Sequence, residues 1–247
     1  MPSGGIEVLR SELLSEHGFL HAFSTREGGV SEGPFASLNL ARTVDDDPAA
    51  VAANTARFAE ELGAHDHLYE VSQVHGARVV DASGDVMALR EEEADAIVAR
   101  TPGAAVAVRT ADCVPILLAD PRTGAVAAVH AGWRGVVADI ASAAVRAMES
   151  DELLAVIGPH IRLPSFEVSD EIADRIEAAA GERVIDRSAP RPHADLAAAV
   201  RAQLRRAGVA AIDDVGGDTF DEARRFFSHR RDQGRTGRHL SAIVARG

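Results

Sequence analysis

The amino-acid sequence predicts an α+β fold of layered helices and sheets, built as a single domain over residues 1–247. Three observations carry this. Several strand-like runs are apolar almost without alternation, as strands covered on both faces are. Helical stripes and strand runs succeed one another irregularly, with hairpin turns as well as crossovers, unlike a strict βαβ repeat. No Pro/Gly/Ser linker, repeat or low-complexity tract divides the 247 residues. Hydrophobic residues make up 46% and aromatic residues only 4%, so the core must be built mainly from Val, Ala, Leu and Ile.

The elements follow in order. Residues 20–23 form a short strand, followed by the turn Glu27-Gly28-Gly29-Val30-Ser31. The first good helix is capped at both ends: Asp47 suits the N-cap, Pro48 the first helical position and Gly63 the position past the end. Val51, Phe58 and Leu62 give it an apolar stripe. Strand-like runs cover 68–74, 94–99, 104–108, 113–119 and 125–130. A helix spans 136–148, with Val136, Val137, Ile140, Ala144, Val145 and Met148 on its buried side. A strand at 153–157 precedes helices at 170–180, ended by Gly181, and 195–207, ended by Gly208. A last strand runs through 240–244.

Composition excludes some functions. A net charge of −12 argues against general binding to nucleic acid or to a membrane surface, which calls for a basic field. No stretch approaches the roughly 20 apolar residues of a membrane span. The run Met1-Pro2-Ser3-Gly4-Gly5 lacks the features of a signal peptide, and one cysteine makes no internal disulfide, so a cytoplasmic location is expected. Every basic residue is arginine and none is lysine, so arginine alone does not mark a phosphate site.

The chemistry centres on the only cysteine, in Arg109-Thr110-Ala111-Asp112-Cys113-Val114-Pro115. The turn Asp120-Pro121-Arg122-Thr123-Gly124 makes a hairpin of the flanking runs. If Asp120 pairs with Thr123, Cys113 faces His130 directly across the ladder; a one-residue slip would put them on opposite faces. Cys113 is then a ligand or nucleophile, or a small buried hydrophobe. His75, in Gln73-Val74-His75-Gly76 at a strand end, points to a loop or cleft. Two His and one Cys form a catalytic zinc set with a fourth position open, and the long separations exclude a compact zinc finger. Ligand atoms in such a site converge to within about 4 Å of one another.

Two further segments have both a functional and a plain reading. His130-Ala131-Gly132-Trp133-Arg134-Gly135 leads from strand to helix through glycines; its free N–H groups and Arg134 suit an anion, or it is a tight turn. Near the C-terminus, Arg230, Arg231, Arg235 and Arg238 form a basic patch for an anionic group, or a solvated loop.

Together these segments resemble the YfiH-type family, also called the laccase-domain or purine nucleoside phosphorylase family and, in bacteria, the peptidoglycan editing factor. The matching runs are Phe23-Ser24-Thr25-Arg26, Gly28-Gly29-Val30-Ser31, Ser37-Leu38-Asn39-Leu40, Gln73-Val74-His75-Gly76, Ala94-Asp95-Ala96, the segments around Cys113 and His130, Ile157-Gly158-Pro159, Asp195-Leu196 and Thr236-Gly237-Arg238. The resemblance implies an α/β/β/α arrangement of two mixed sheets between helix layers. It implies a zinc site of His75, Cys113 and His130, which would also take copper adventitiously. It further implies phosphorolysis of adenosine, inosine, guanosine or methylthioadenosine, and deamination of adenosine. The expected partners are a purine nucleoside and phosphate, acting on a monomer or weak homodimer. Arg26, Arg109, Arg134, Arg230 and Arg238 become candidates for holding phosphate or ribose oxygens. Asn39 and Asp112 are candidate polar or proton-transfer groups, with Arg109, Asp112 and Cys113 catalytic.

The chain departs from the family pattern after Gly158-Pro159, where it reads His160-Ile161-Arg162, and at Ser228-His229-Arg230-Arg231, where a tyrosine commonly precedes the arginines. Multicopper oxidation needs several His-x-His pairs beside a blue-copper cluster, and His65-Asp66-His67 is the only such pair here. Two other readings remain: hydrolysis of an amide in a cell-wall precursor with Cys113 as nucleophile, and a non-catalytic metal-binding protein.

Overall fold

A computed structural model describes residues 5–64 and 68–247; the first four residues and His65-Asp66-His67 lie outside the described residues. In chain order the first half contains β1 (Val8–Leu9), α1 (Glu12–Glu16), β2 (His21–Ser24), α2 (Pro48–Leu62), β3 (Leu68–Tyr69), β4 (Val79–Asp81), α3 (Val86–Leu89), β5 (Ala96–Ala99) and β6 (Ala105–Thr110). The second half contains β7 (Val114–Ala119), β8 (Val126–Ala131), α4 (Trp133–Val137), α5 (Ile140–Met148), β9 (Leu154–Ile157), α6 (Asp170–Ala180), β10 (Ile185–Asp186), β11 (His193–Ala194), α7 (Leu196–Arg206), β12 (Ala211–Asp214) and β13 (His239–Val244).

Two mixed sheets dominate. One runs β1-β2-β13-β6-β3 and the other β12-β9-β7-β8-β5-β4. In the first, only the β3/β6 pair is parallel. In the second, the edge pairs β12/β9 and β4/β5 are parallel around an antiparallel centre. Residues alternate between faces along each strand, so each sheet has two apolar faces to cover. On β6, Val106 and Val108 pack with Phe23 and Ile243 against Ile97, Leu117, Val126 and Val156 of the other sheet. Ala105 and Ala107 face the other way, beneath Phe58 and Leu62 of α2 and beside Leu38 and Leu40. The outer face of the second sheet, with Val98, Ile116, Leu118 and Val129, is covered by Val136, Ile140, Ile176 and Val200 of helices α4 to α7. The result is helix, sheet, sheet, helix. It explains the unbroken apolar runs, because neither face of a central strand meets water. Among the described residues, no helix is long and apolar enough to cross a membrane.

The helix caps behave as the residues dictate. Asp47 accepts a hydrogen bond from Ala49 N, and Gly63 closes α2 with φ of 77°. Ser169 and Gly181 bound α6, and the Asp195 side chain caps α7. The helix expected at 136–148 is instead two, because Asp139 adopts φ of 59° between α4 and α5. Its apolar stripe continues across the break, so periodicity alone reads through it. The run at 68–74 pairs as a strand over Leu68–Tyr69 only. Beyond it the Gln73 side-chain amide takes over: Nε2 donates to Arg109 O at 2.7 Å and Oε1 accepts from Arg109 N at 2.8 Å.

The hairpin register differs from expectation by two residues. His130 lies opposite Pro115, and Ala131 opposite Val114, which brings Cys113 level with Gly132. Asp120 pairs with Ala125 rather than Thr123, giving a longer loop in which the Asp120 carboxylate accepts from Arg122 N and Thr123 N. A shift of two preserves the face, as a shift of one does not. Cys113 and His130 therefore still share a side of the sheet, as diagonal neighbours.

Buried histidines make the fold sensitive to acid. Burial holds His160 and His239 down at about 4. His239 Nε2 accepts the Phe227 N–H at 2.8 Å, which requires a neutral ring. Both folded values lie below the ordinary 6.5, so the unfolded chain takes up protons first as pH falls. The contribution is complete above about pH 6.5, is lost between 6.5 and about 4, and is flat below that; it amounts to about 3 kcal/mol per histidine. Denaturation midpoints measured at pH 7, 5.5 and 4.5 are expected to fall steadily across this window. A profile flat from 7 to 4.5 would refute the assignment.

Candidate metal centre

Three elements deliver the site. Cys113 sits immediately before β7, His130 near the end of β8, and His75 on the loop after β3. One ligand atom from each lies within 4.8 Å of the others. Cys113 Sγ stands 3.9 Å from His75 Nε2, and the two imidazole rings are 4.7 Å apart in an edge-to-face arrangement. The set is slightly wider than the expected 4 Å convergence, and otherwise matches it.

One carboxylate organises two of the three groups. Asp95 is fully buried in the run that enters β5. Its oxygens accept from Val74 N at 3.3 Å, His75 N at 2.9 Å and Gly76 N at 2.6 Å. These bonds hold His75 at φ of 62°, a left-handed conformation costly for a residue with a Cβ. Asp95 Oδ1 also lies 2.8 Å from His130 Nδ1. That contact fixes a proton on Nδ1, so Nε2 is the nitrogen that would take a cation once its own proton leaves. Burial pushes Asp95 up, but the hydrogen bonds from His130 and the Gly76 and His75 amides outweigh it and hold the carboxyl below its ordinary range. Burial likewise pushes the Cys113 thiol up, and the charge and hydrogen bonds of His130 and His75 prevail, favouring thiolate. Thiolate is the form that binds metal.

Gly132 leaves room for the cluster. A Cβ there would lie 2.8 Å from His75 Cδ2 and 2.9 Å from Cys113 Sγ. Gly132→Ala is therefore expected to spread two ligands and lower metal affinity at least about 10-fold, the scale of misoriented ligands, while the protein remains folded. Metal content after dialysis, alongside the circular dichroism spectrum, checks this; full metal retention would show that the cluster tolerates the methyl.

The three groups open onto a cavity of about 870 Å³, within the size range of small-molecule sites. Its wall also carries Arg42, Arg90, Arg109, Arg134, Arg230 and Arg238, so an acidic protein turns a basic lining toward this space. Arg134 lies 4.8 Å from the Trp133 ring centre and Arg230 5.2 Å from that of Phe166, both stacked as cations on aromatic faces. Arg238 donates to the Thr236 and Gly237 carbonyls and approaches His229 Nδ1 at 3.4 Å. Arg109 donates through Nε to Leu40 O and ion-pairs with Glu70.

Asp112 also lines the cavity, but both its oxygens are engaged. Oδ1 accepts from Thr219 Oγ1 and Oδ2 from Arg230 N, each at 2.7 Å. With φ of 87°, it is a strained corner that fixes the Arg230 loop beside Cys113. Two of the sequence candidates lie elsewhere. Arg26 donates to Ala36 O and Ala223 O and stacks on Phe227. Asn39 is buried, donating to Asp46 and accepting from Ala41 N and Arg238 N. Neither is among the cavity-lining residues. Both side chains brace neighbouring loops, Arg26 by donating to two carbonyls and Asn39 by accepting from two backbone N–H groups. The sequence reading gave no role to Asp95, Arg42 or Arg90. For Asp95 the signal was present: a lone acid inside an apolar strand run needs partners.

A layered fold of two mixed sheets with a His/Cys/His group in the wall of a cavity defines the class. Residues 20–246 match the family described as multi-copper polyphenol oxidoreductase laccase, and the chain belongs to that family. Among the described residues one His/Cys group of metal-binding geometry is present, whereas multicopper oxidation requires several. Curated relatives carry another name. A protein of Deinococcus radiodurans named purine nucleoside phosphorylase is 43% identical, across 98% of this chain and 94% of its own. Purine nucleoside phosphorylase YfiH of Shigella flexneri is 38% identical across 89% and 91%. Among solved structures, YlmD from Geobacillus stearothermophilus superposes with a TM-score of 0.89 at 32% identity, covering 100% of this chain and 98% of that one.

Proposed function

We propose that the chain is a zinc-dependent purine nucleoside phosphorylase that uses phosphate to split adenosine, inosine and guanosine into base and ribose 1-phosphate, and methylthioadenosine into adenine and methylthioribose 1-phosphate, and that it also deaminates adenosine. The observation that carries this reading is the convergence of His75, Cys113 and His130 on the wall of one arginine-lined cavity. The names of the relatives point the same way. The donor set fits zinc, with two imidazole nitrogens, one thiolate and a side open to the cavity. When bound, the metal would supply Lewis acidity toward a substrate oxygen.

The protein's own groups do the rest. Asp95 keeps the His130 proton on Nδ1 and fixes the His75 loop. Arg134 and Arg230, held over Trp133 and Phe166, present charge to ribose or phosphate oxygens. Asp112 acts by positioning Arg230.

A second reading has its own observation. A thiol lowered by an adjacent imidazole is also an activated nucleophile, as amide hydrolysis in a cell-wall precursor would need. Metal-defined protein incubated with inosine, with and without phosphate, separates the two. Phosphate-dependent release of hypoxanthine is expected. Cleavage of a misacylated muropeptide precursor without nucleoside turnover would overturn the first reading, as would tight zinc binding with neither activity.

A further inference from the structure

We propose that Arg42, Arg90 and Arg109, gathered on the buried carboxylate of Glu70, form a phosphate subsite at one end of the catalytic cavity. The inference rests on the phosphorolytic reading and locates its second substrate. Glu70 is 1% exposed. It faces three guanidiniums: Arg42 Nη1 at 2.9 Å, Arg90 Nε at 3.6 Å, and Arg109 Nη1 in direct contact. Glu91 also lines the catalytic cavity and acts on Arg42, so two carboxylates face three guanidiniums and one positive charge stays uncompensated in a half-buried wall. A structural ion pair needs one arginine for each acid; three arginines against two acids form a site short of one anion.

The arginines are also incompletely used by the protein. Arg90 Nε is buried without a hydrogen-bond partner among the described residues. Arg42 has the Glu70 ion pair as its polar contact, and its side chain remains 31% exposed. Arg109 is 12% exposed and further fixed by Leu40 O, so its fork is pre-set. All three line the cavity that holds the His/Cys/His group, and all three line a second cavity of about 650 Å³ behind them. They therefore stand in a wall between two spaces, with the buried Glu70 among the lining of the second alone. Glu70 acts as a positioning residue, holding Arg42 and Arg109 through Nη1 and Arg90 near Nε, so that the three guanidiniums stay together in the wall. Guanidiniums fixed in this way suit a tetrahedral dianion through the N–H groups the protein leaves unused.

The ligand chemistry is a phosphate dianion, either inorganic phosphate or the phosphate ester of a nucleotide. Calorimetric titration of the full chain with inorganic phosphate, and separately with adenosine 5′-monophosphate, distinguishes the sources. It is run without turnover, so it answers independently of whether nucleosides are cleaved. We expect saturable binding of inorganic phosphate, weakened about 10-fold or more in Arg42→Ala, the scale of one lost charged hydrogen bond, and partly restored in Arg42→Lys. Arg90→Ala is the second variant should Arg42→Ala fail to fold. Binding of the ester alone, with the same dependence on Arg42, supports the subsite and reassigns its occupant to a nucleotide. Absence of binding in the parent protein overturns the proposal. So does unchanged affinity in a folded Arg42→Ala protein, or loss confined to Arg134→Ala or Arg238→Ala.

Discussion

Asp95→Ala is expected to cost the protein both its metal and several kcal/mol of stability, more than any other change outside the three candidate ligands. The carboxylate receives three backbone N–H groups from the loop 74–76 and the Nδ1 proton of His130. Alanine leaves those donors unpaired, at about 1–3 kcal/mol for each that stays buried. His75 loses the contacts that hold its left-handed backbone, so the loop relaxes and its imidazole leaves the cluster. His130 loses the partner that fixes its tautomer. Second-sphere losses of this kind weaken metal binding about 10–100-fold, and two are combined in this residue. Chelator competition at a temperature where the variant is folded measures the affinity, and urea midpoints measure the stability. Asp95→Asn keeps the shape and one acceptor oxygen and should fall between alanine and the parent. Parental zinc affinity in a folded Asp95→Ala protein would show that Asp95 serves the fold alone.

That dependence marks the boundary between what the sequence makes legible and what it does not. The layers are legible because their cause is local: a strand buried on both faces cannot alternate, and the runs ending at Ala99, Ala119 and His130 do not. The caps of α2 and the glycine end of α6 are legible because Asp and Gly act within three residues of where they stand. The break at Asp139 is hidden, since the apolar stripe needs only that the face persist. Strands as short as β1, β3, β10 and β11 have no period to read; they exist because a partner edge is there to be covered.

The convergence of His75, Cys113 and His130 does not depend on the hairpin register the sequence suggests. The face rule survives a two-residue shift, and the loop gained two residues because the Asp120 carboxylate caps it from inside. The arginines resist such reasoning. A guanidinium reaches far enough that spacing does not say whether it meets a ligand or a carbonyl. Arg26 and Arg134 flank equally suggestive glycines, yet one is spent on Ala36 and Ala223 and the other faces the cavity. What separates them is long-range, set by how the two sheets stack.

Cys113→Ala is expected to abolish phosphorolysis, by at least about 10³-fold, while leaving stability within about 1 kcal/mol of the parent. The asymmetry follows from where the residue stands. Cys113 precedes β7 rather than filling the core between the sheets, and its side chain is only partly enclosed. Removing sulfur deletes little packing. It does delete one of three donor atoms and the only anionic one, so the remaining pair of neutral imidazoles would hold zinc far more weakly. It also removes the negative charge that, with Asp95, raises His130 against the effect of its burial. In the metal-free variant His130 should therefore titrate lower than in the metal-free parent, a shift that proton NMR of the ring resolves without any activity assay. The rate assay uses inosine and phosphate at matched metal content, with thermal unfolding run beside it. Turnover within a few-fold of the parent would remove the thiolate from the chemistry. A parallel collapse of the melting temperature would instead make Cys113 a packing residue, and the cluster of two histidines and one cysteine an accident of the hairpin.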